Sequence, residues 1–147
     1  MKNETPVYTY MGHSNIVNAV AWSPDLLRIA TASSDRTVQV WSPFNGGTLY
    51  TYTGHINNGT PTEVVDLART PPAQVYTLAW EPGSGKHIAS GGSNGMLQVW
   101  RPDDGTLIAS NQSSSQSIRS IAWTSDSSGS SIVYGGDDHI ARVWRVE

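Results

Sequence analysis

The chain has 147 residues, 14% of them charged, no cysteine and a formal net charge of −3. This length fits one domain, the lack of cysteine excludes disulfides and cysteine-bound zinc, and the mildly acidic balance does not favour nucleic-acid binding. No apolar run is long enough to span a membrane, and residues 1–12 do not resemble a signal peptide. We therefore expect a cytoplasmic protein without membrane contact.

The first half of the chain predicts short β-strands separated by turns. Runs of β-branched and aromatic residues alternate with Ser, Pro, Asp, Asn and Gly, the residues that favour turns. The predicted strands are 6–11, 17–22, 28–33, 37–41 and 48–53.

The second half continues this pattern. Its predicted strands are 74–80, 87–91, 96–100 and 106–110, followed by 118–123, 131–135 and 140–146. Strands at steps of about ten residues indicate an all-β fold. The last group has three strands, whereas strand 6–11 stands alone before the first group.

Three pairs of tryptophans mark an internal repeat. Trp22 and Trp41 are 19 residues apart, and the later pairs are 20 and 21 residues apart. The later pairs are Trp80 with Trp100 and Trp123 with Trp144. A repeat of about 40 to 45 residues is typical of the blades of a β-propeller.

The first repeat unit resembles the WD40 family. It contains Gly12-His13, Ser23-Pro24-Asp25, Ala30-Thr31, Asp35 and Trp41, in the order of the family's pattern. The resemblance extends over about residues 6–146 and implies WD40-type propeller blades, three four-stranded blades per chain.

The resemblance also implies a hydrogen-bonded group inside a blade, formed by His13, Thr31, Asp35 and Trp41. Buried polar groups of these types satisfy one another and fix loops onto strands. The second unit has Asn94 in place of the aspartate, and the third has no histidine at the matching place. We therefore expect a complete network only in the first unit.

Three blades are too few for a closed ring, because propellers usually have about four to eight. We predict one domain over 1–147, with blades at about 14–55, 74–112 and 116–147. Two open faces and two unpaired edges, 6–11 and 140–146, would invite a second copy. The resulting homodimer would form a six-bladed ring by exchange of strand 6–11. The alternative is a fragment or engineered piece of a longer propeller with no independent role.

The segment 56–73 interrupts the second repeat unit. Insertions in repeat proteins often lie on the binding face. Glu63, Asp66 and Arg69 are therefore candidate partner contacts, although the apolar residues between them could instead pack this loop onto the ring.

The sequence contains no pattern typical of an enzyme. Its four histidines lack metal-ligand spacing, and Asp137-Asp138-His139 reads as a turn before a strand. We predict a non-catalytic interaction scaffold for an unknown protein or peptide, with no cofactor and no metal. The alternative is a small-ligand-binding or hydrolytic propeller, which would need converging polar side chains with shifted pKa values.

Overall fold

The computed structural model describes residues 7–56 and 73–146. Within these ranges the chain forms eleven β-strands, all antiparallel to their neighbours. None of the described segments is a helix of the kind that could cross a membrane. The predicted all-β class is therefore confirmed.

The strands form three sheets, which we call blades 1, 2 and 3. Blade 1 consists of β1 (Val17–Trp22), β2 (Ile29–Ser33), β3 (Val38–Trp41) and β4 (Thr48–Tyr52), in that spatial order. Blade 2 consists of β5 (Val75–Trp80), β6 (Ile88–Gly92), β7 (Leu97–Trp100) and β8 (Leu107–Asn111). Blade 3 consists of β9 (Ile118–Asp126), β10 (Gly129–Gly136) and β11 (Ala141–Val146).

The three blades share one strand register. In blade 1, Trp22 lies opposite Ile29, and Ile29 lies opposite Trp41. The matching rows are Trp80, Ile88 and Trp100 in blade 2 and Trp123, Ile132 and Trp144 in blade 3. Residues at the same place in this register are called equivalent below.

The turn after the second strand of each blade is built in the same way. A side-chain oxygen accepts a hydrogen bond from the backbone N–H two residues later, which closes the turn. The pairs are Asp35 with Thr37 (2.9 Å), Asn94 with Met96 (3.0 Å) and Asp138 with Ile140 (3.1 Å). The next residue is left-handed in each case, with φ of 76° at Arg36, 76° at Gly95 and 67° at His139.

Two apolar clusters join the blades. The first lies between blades 1 and 2 and includes Ala30, Val40, Leu78 and Trp80. The second lies between blades 2 and 3 and includes Val99 and Ile132. Among the described residues, blade 2 is thus covered on both faces, whereas blades 1 and 3 each have one face without a neighbouring sheet.

The predicted strand 6–11 is not formed. Residue 6 lies outside the described residues, and residues 7–11 have no strand pairing. A strand needs a partner for its backbone groups, whereas this segment contacts blade 1 through side chains, such as the hydroxyl of Tyr10. The β9–β10 hairpin, in contrast, is longer than predicted, because its strands continue to a tight turn at 127–128.

Candidate interaction surfaces

His13 lies at the centre of a hydrogen-bonded group in blade 1. Its Nδ1 is 2.7 Å from Oδ2 of Asp35, and its Nε2 is 2.7 Å from Oγ1 of Thr31. The side chains of His13 and Asp35 are almost fully buried. The ring therefore connects the loop before β1 with strand β2 and with the turn that follows it.

Asp35 collects hydrogen bonds from two segments of the chain, the loop at His13 and Ser14 and the turn at Thr37. Burial by itself would raise the pKa of its carboxyl group, but hydrogen bonds from Thr37, His13 and Ser14 outweigh this and lower the pKa. Oγ1 of Thr37 donates at 2.6 Å, and the backbone N–H of Ser14 donates at 3.1 Å. The ionised carboxylate is thus the form that holds these segments together.

Trp41 does not join this group, which corrects the four-membered network that the resemblance implied. Its buried indole Nε1 has no hydrogen-bond partner among the described residues. The Oγ1 of Thr31 is engaged with His13 and lies 3.4 Å from the carbonyl oxygen of Gln39. Thr31 therefore does not supply the acceptor that the indole would need.

Blade 2 contains the indole hydrogen bond that blade 1 lacks. Nε1 of Trp100 donates to Oγ of Ser90 at 3.0 Å, and the same Oγ lies 2.7 Å from Nε2 of His55. The expectation that only the first unit carries the full set of contacts is therefore wrong. Each of the two blades has its own version of the network.

His55 is fully buried, and its Nε2 contacts the hydroxyl group of Ser90. Its Nδ1 has no hydrogen-bond partner among the described residues. Burial lowers the pKa of His55 to about 4, because desolvation disfavours the imidazolium form. The ring therefore stays neutral at physiological pH.

Blade 3 uses its matching residues differently. The hydroxyl of Tyr134 is hydrogen-bonded to Ser113 and lies 3.4 Å from Oδ1 of Asn111. Asp138 accepts a hydrogen bond from Arg142 at 2.5 Å. The site of the network is thus occupied by a tyrosine contact and an ion pair.

The acidic turn of blade 3 is engaged with arginines rather than arranged for a metal. Asp137 accepts two hydrogen bonds from Arg119, at 2.9 and 3.1 Å, and Asp138 pairs with Arg142. In the part of the chain that the structure describes, no group of three or more His, Cys, Asp or Glu side chains could hold a metal ion.

The end of blade 1 packs onto blade 2 through a tyrosine. The ring of Tyr52 stacks on the ring of Trp100 with a centroid distance of 4.1 Å. Its hydroxyl donates to Oε1 of Gln98 at 2.8 Å. The outermost strand of one blade thereby covers the last tryptophan of the next.

Residues 7–12 repeat this arrangement on blade 1. Tyr10 stacks on Trp41 at 4.5 Å, and its hydroxyl donates to Oε1 of Gln39 at 2.6 Å. The signal in the sequence is the match between Tyr8-Thr9-Tyr10-Met11-Gly12-His13 and Tyr50-Thr51-Tyr52-Thr53-Gly54-His55. Residues 7–12 therefore lie where the outermost strand of a preceding blade would lie.

The outward face of blade 1, which we call the blade 1 flank, exposes large apolar side chains. Trp22 is 52% exposed and Val20 is 66% exposed. Their equivalents in blade 2, Trp80 and Leu78, are each 7% exposed because blade 1 covers them. A groove of about 310 Å³ on this flank is lined by Val7, Tyr8, Trp22, Ile29, Trp41 and Pro43.

The outward face of blade 3, the blade 3 flank, is also apolar but is built from smaller side chains. Val143 is 74% exposed, whereas its equivalent in blade 1, Val40, is completely buried. A second groove, of about 200 Å³, is lined by Ala122, Trp123, Thr124, Ser131, Val133 and Val143. In the described part of the chain, two blade faces of different character are thus uncovered.

The insertion residues Glu63, Asp66 and Arg69 lie outside the described residues. Their role as partner contacts stays a prediction.

Comparison with known proteins identifies the repeat. The family model "WD domain, G-beta repeat" matches residues 4–42 and 46–101, together more than half of the chain. "WD repeat-containing protein slp1" of Schizosaccharomyces pombe is 26% identical over 138 residues, covering 92% of this chain and 25% of that protein.

Two further relatives show similar coverage. "Probable cytosolic iron-sulfur protein assembly protein 1" of Meyerozyma guilliermondii is 29% identical over 135 residues, 83% of this chain and 35% of that protein. "Anaphase-promoting complex subunit cdc20" of Dictyostelium discoideum is 26% identical over 147 residues, 97% of this chain and 26% of that protein. The chain therefore spans about a quarter to a third of the length of these relatives. With its shared blade register and the family match, the chain belongs to the WD40 repeat family.

Proposed function

We propose that this chain is a non-catalytic scaffold that binds other proteins through the uncovered faces of its blades. The observation that carries the proposal is the exposure of Trp22, Val20 and Val143 at places where equivalent residues are buried. Contiguous exposed apolar surface marks sites of association in soluble proteins. Two relatives are named as a complex subunit and an assembly protein, which agrees with a role inside larger assemblies.

The first partner we propose is a second copy of the chain. Two sets of three blades make a six-bladed ring, which lies within the usual range for propellers. In this ring β11 of one copy would pair with residues 7–12 of the other. Each blade 3 would then gain the fourth strand that blades 1 and 2 already have.

Blade 1 supplies the expected register of this pairing. Gln39 of β3 lies opposite Thr51 of β4. The residue of β11 equivalent to Gln39 is Arg142, and Thr9 matches Thr51 in the repeated tyrosine sequence. We therefore expect Thr9 of one copy to lie opposite Arg142 of the other.

The polar network of blade 1 has a structural role in this proposal. His13, Thr31 and Asp35 hold the loop that connects residues 7–12 with β1. They would thereby keep Tyr10 in place on Trp41, so that the segment is presented in the correct position for a second copy.

A further protein or peptide would bind to the six-bladed ring that two copies form. The insertion with Glu63, Asp66 and Arg69 is the surface we propose for it, because insertions of repeat proteins often form the binding face. We place the protein in the cytoplasm, a location that the word "cytosolic" in one relative's name supports.

The second candidate is a longer propeller whose own further blades cover both flanks. The observation that favours it is the coverage of only 25% to 35% of the relatives' lengths. In that case the isolated 147-residue chain would not need to form a closed dimer.

The solution mass distinguishes the two candidates. Light scattering at micromolar concentration should give twice the 15.9 kDa of one chain, and deletion of residues 1–11 should weaken the dimer. A mass of one chain at all concentrations would exclude self-assembly. Equal assembly of the truncated chain would exclude strand exchange.

A further inference from the structure

We infer that the two flanks are the two halves of one interface. The blade 1 flank of one copy packs against the blade 3 flank of a second copy, and the same contact in reverse completes the ring. This inference rests on the proposed self-assembly, and it specifies which surface meets which. Each contact is head to tail, with a different face from each copy.

The interface between blades 1 and 2 is the template. Blade 1 contributes the small side chains of Ala21, Ala30 and Val40, and blade 2 contributes the large side chains of Leu78 and Trp80. Nε1 of Trp80 donates to the carbonyl oxygen of Ala21 at 3.2 Å. A face of small residues thus receives a face of large ones, and the indole of Trp80 donates a hydrogen bond across it.

The blade 3 flank is equivalent to the small face of this template. Ala122, Val133 and Val143 lie opposite one another in blade 3 as Ala21, Ala30 and Val40 do in blade 1. In blade 1, Ala30 and Val40 are buried and Ala21 is partly buried against blade 2, whereas all three positions are exposed in blade 3. The blade 3 flank therefore has the surface that blade 2 recognises on blade 1.

The blade 1 flank is equivalent to the large face. Val20 and Trp22 occupy the places of Leu78 and Trp80. In a second copy seated on this flank, the indole of Trp22 would donate to the carbonyl oxygen of Ala122, as Trp80 does to Ala21. The blade 3 flank is thus complementary to the blade 1 flank. Neither flank is complementary to a second copy of itself.

The interface between blades 2 and 3 explains why we expect the indole of Trp22 to donate to the neighbouring blade, as the indole of Trp80 does. There the indole of Trp123 donates to Oγ of Ser130 in its own blade, at 2.6 Å. Leu27 stands two residues before Ile29, as Ser130 stands two residues before Ile132, but it lies in the turn before β2 and has no hydroxyl group. Within the described ranges, Trp22 therefore lacks an acceptor of this kind, and its indole is left for a carbonyl group of the neighbouring blade.

The contact between copies should be weaker than the template at one place. In the template, the guanidinium of Arg28 lies 4.9 Å from the ring centroid of Trp80 and pairs with Asp103 at 2.8 Å. The residue equivalent to Arg28 in blade 3 is Ser131. The ring of Trp22 would therefore lack a cation over its face, which makes this contact the more easily opened one.

A complementation experiment tests the head-to-tail arrangement. Val20→Asp damages only the blade 1 flank, and Val143→Lys damages only the blade 3 flank. Both side chains are exposed in the single chain, so both variants should fold, as circular dichroism would verify. Each variant alone should dimerise at least about 100-fold more weakly, because each of its two contacts buries a charge.

An equimolar mixture of the two variants should recover the dimer. The mixed pair has one unaltered contact, and its second contact brings Asp and Lys together. Ile108→Asp on blade 2, away from both flanks, is the matched control and should leave the mass of the dimer unchanged. Dimerisation of either single variant at wild-type strength, or failure of the mixture, would overturn the inference. A monomeric wild type would overturn the proposed self-assembly as well.

A gain of affinity provides an independent readout. Ser131→Arg places a guanidinium where Arg28 lies in the template, and dimerisation should tighten about 2- to 10-fold. An Ala substitution at position 131 is the control and should give no gain. Weaker dimerisation of Ser131→Arg would contradict the proposed equivalence of the two interfaces.

Discussion

Trp80 and Trp22 occupy the same place in two blades but have opposite surroundings. Trp80 is buried beneath blade 1, donates a hydrogen bond to it and lies under the guanidinium of Arg28. Trp22 is half-exposed and lines an open groove. The same residue is therefore part of the core in one blade and a surface residue in the other.

The difference shows what a blade needs from its neighbour. The strand register of a blade does not require a neighbouring sheet on both faces, since blades 1 and 3 keep it with only blade 2 packed against them among the described residues. Burial of the large apolar side chains, in contrast, depends on the next sheet. We infer that a second copy supplies that sheet.

The largest expected difference in stability separates Trp80 from Trp22. Trp80→Ser should lower the free energy of unfolding by about 3 to 5 kcal/mol, because it opens a cavity between blades 1 and 2. Trp22→Ser should cost less than about 1 kcal/mol in the monomer, because the ring is already half in water, but it should weaken the dimer. Urea unfolding at a concentration below the dimer dissociation constant measures both. Equal losses for the two variants would contradict the comparison.

The pH dependence of stability should reveal the buried histidine of blade 2. The folded-state pKa of His55 is about 4, below the value of about 6.5 expected in the unfolded chain. The unfolded state therefore binds the proton more readily, and stability should fall as pH drops from about 6.5 to 4. This group should account for a loss of about 3 kcal/mol over that window.

His55→Gln is the control for this prediction, because glutamine does not titrate. Urea unfolding between pH 7 and 4 should show a smaller loss for the variant than for the wild type. The same slope in both proteins would show that His55 does not titrate in this window.

A smaller difference should separate the two indole groups of the networks. Trp100→Phe removes the indole donor from the buried Oγ of Ser90, which then keeps only its contact with His55. Trp41→Phe removes an indole N–H that has no partner among the described residues. Trp100→Phe should therefore be more destabilising by about 1 to 2 kcal/mol. Thermal unfolding followed by circular dichroism ranks the two variants, and the reverse order would contradict the assigned contacts.

The smallest predicted effect concerns the turns after the second strands. Arg36 and Gly95 are equivalent and share a φ of 76°. Arg36→Gly should raise the free energy of unfolding by up to about 1 kcal/mol, because glycine adopts this conformation without a Cβ penalty. Gly95→Ala should have the opposite sign. A loss of stability in Arg36→Gly would show that its side-chain contacts outweigh the backbone term.

The sequence predicted the repeated elements best. The three pairs of tryptophans and the turn residues placed the starts of all eleven observed strands to within two residues, because local alternation and turn chemistry determine these boundaries. The polar network was predicted in kind but not in detail. The hydroxyl group of Ser90 accepts a hydrogen bond from an indole, whereas the hydroxyl group at the equivalent Thr31 does not. The shared motif allows either residue at this position and therefore does not predict the difference.

The position of residues 7–12 shows the limit of such reasoning. Their composition predicts a strand, but strand pairing depends on a neighbouring edge, which is a property of the assembled blades. The match with residues 50–55 carried the better signal, because Tyr10 and Tyr52 make the same contacts on successive blades. The complementarity of the flanks depends on the strand registers of all three blades, which no single repeat unit specifies.

A disulfide trap tests most directly whether a second copy covers the flanks. The chain has no cysteine, so the double variant Thr9→Cys, Arg142→Cys introduces the only two thiols. We predict that oxidation gives a covalent dimer of twice 15.9 kDa that reductant reverses, whereas Thr9→Cys, Val143→Cys, with side chains on opposite faces of the strands, does not. A double variant at positions 9 and 142 that stays at the mass of one chain under oxidising conditions would contradict the account.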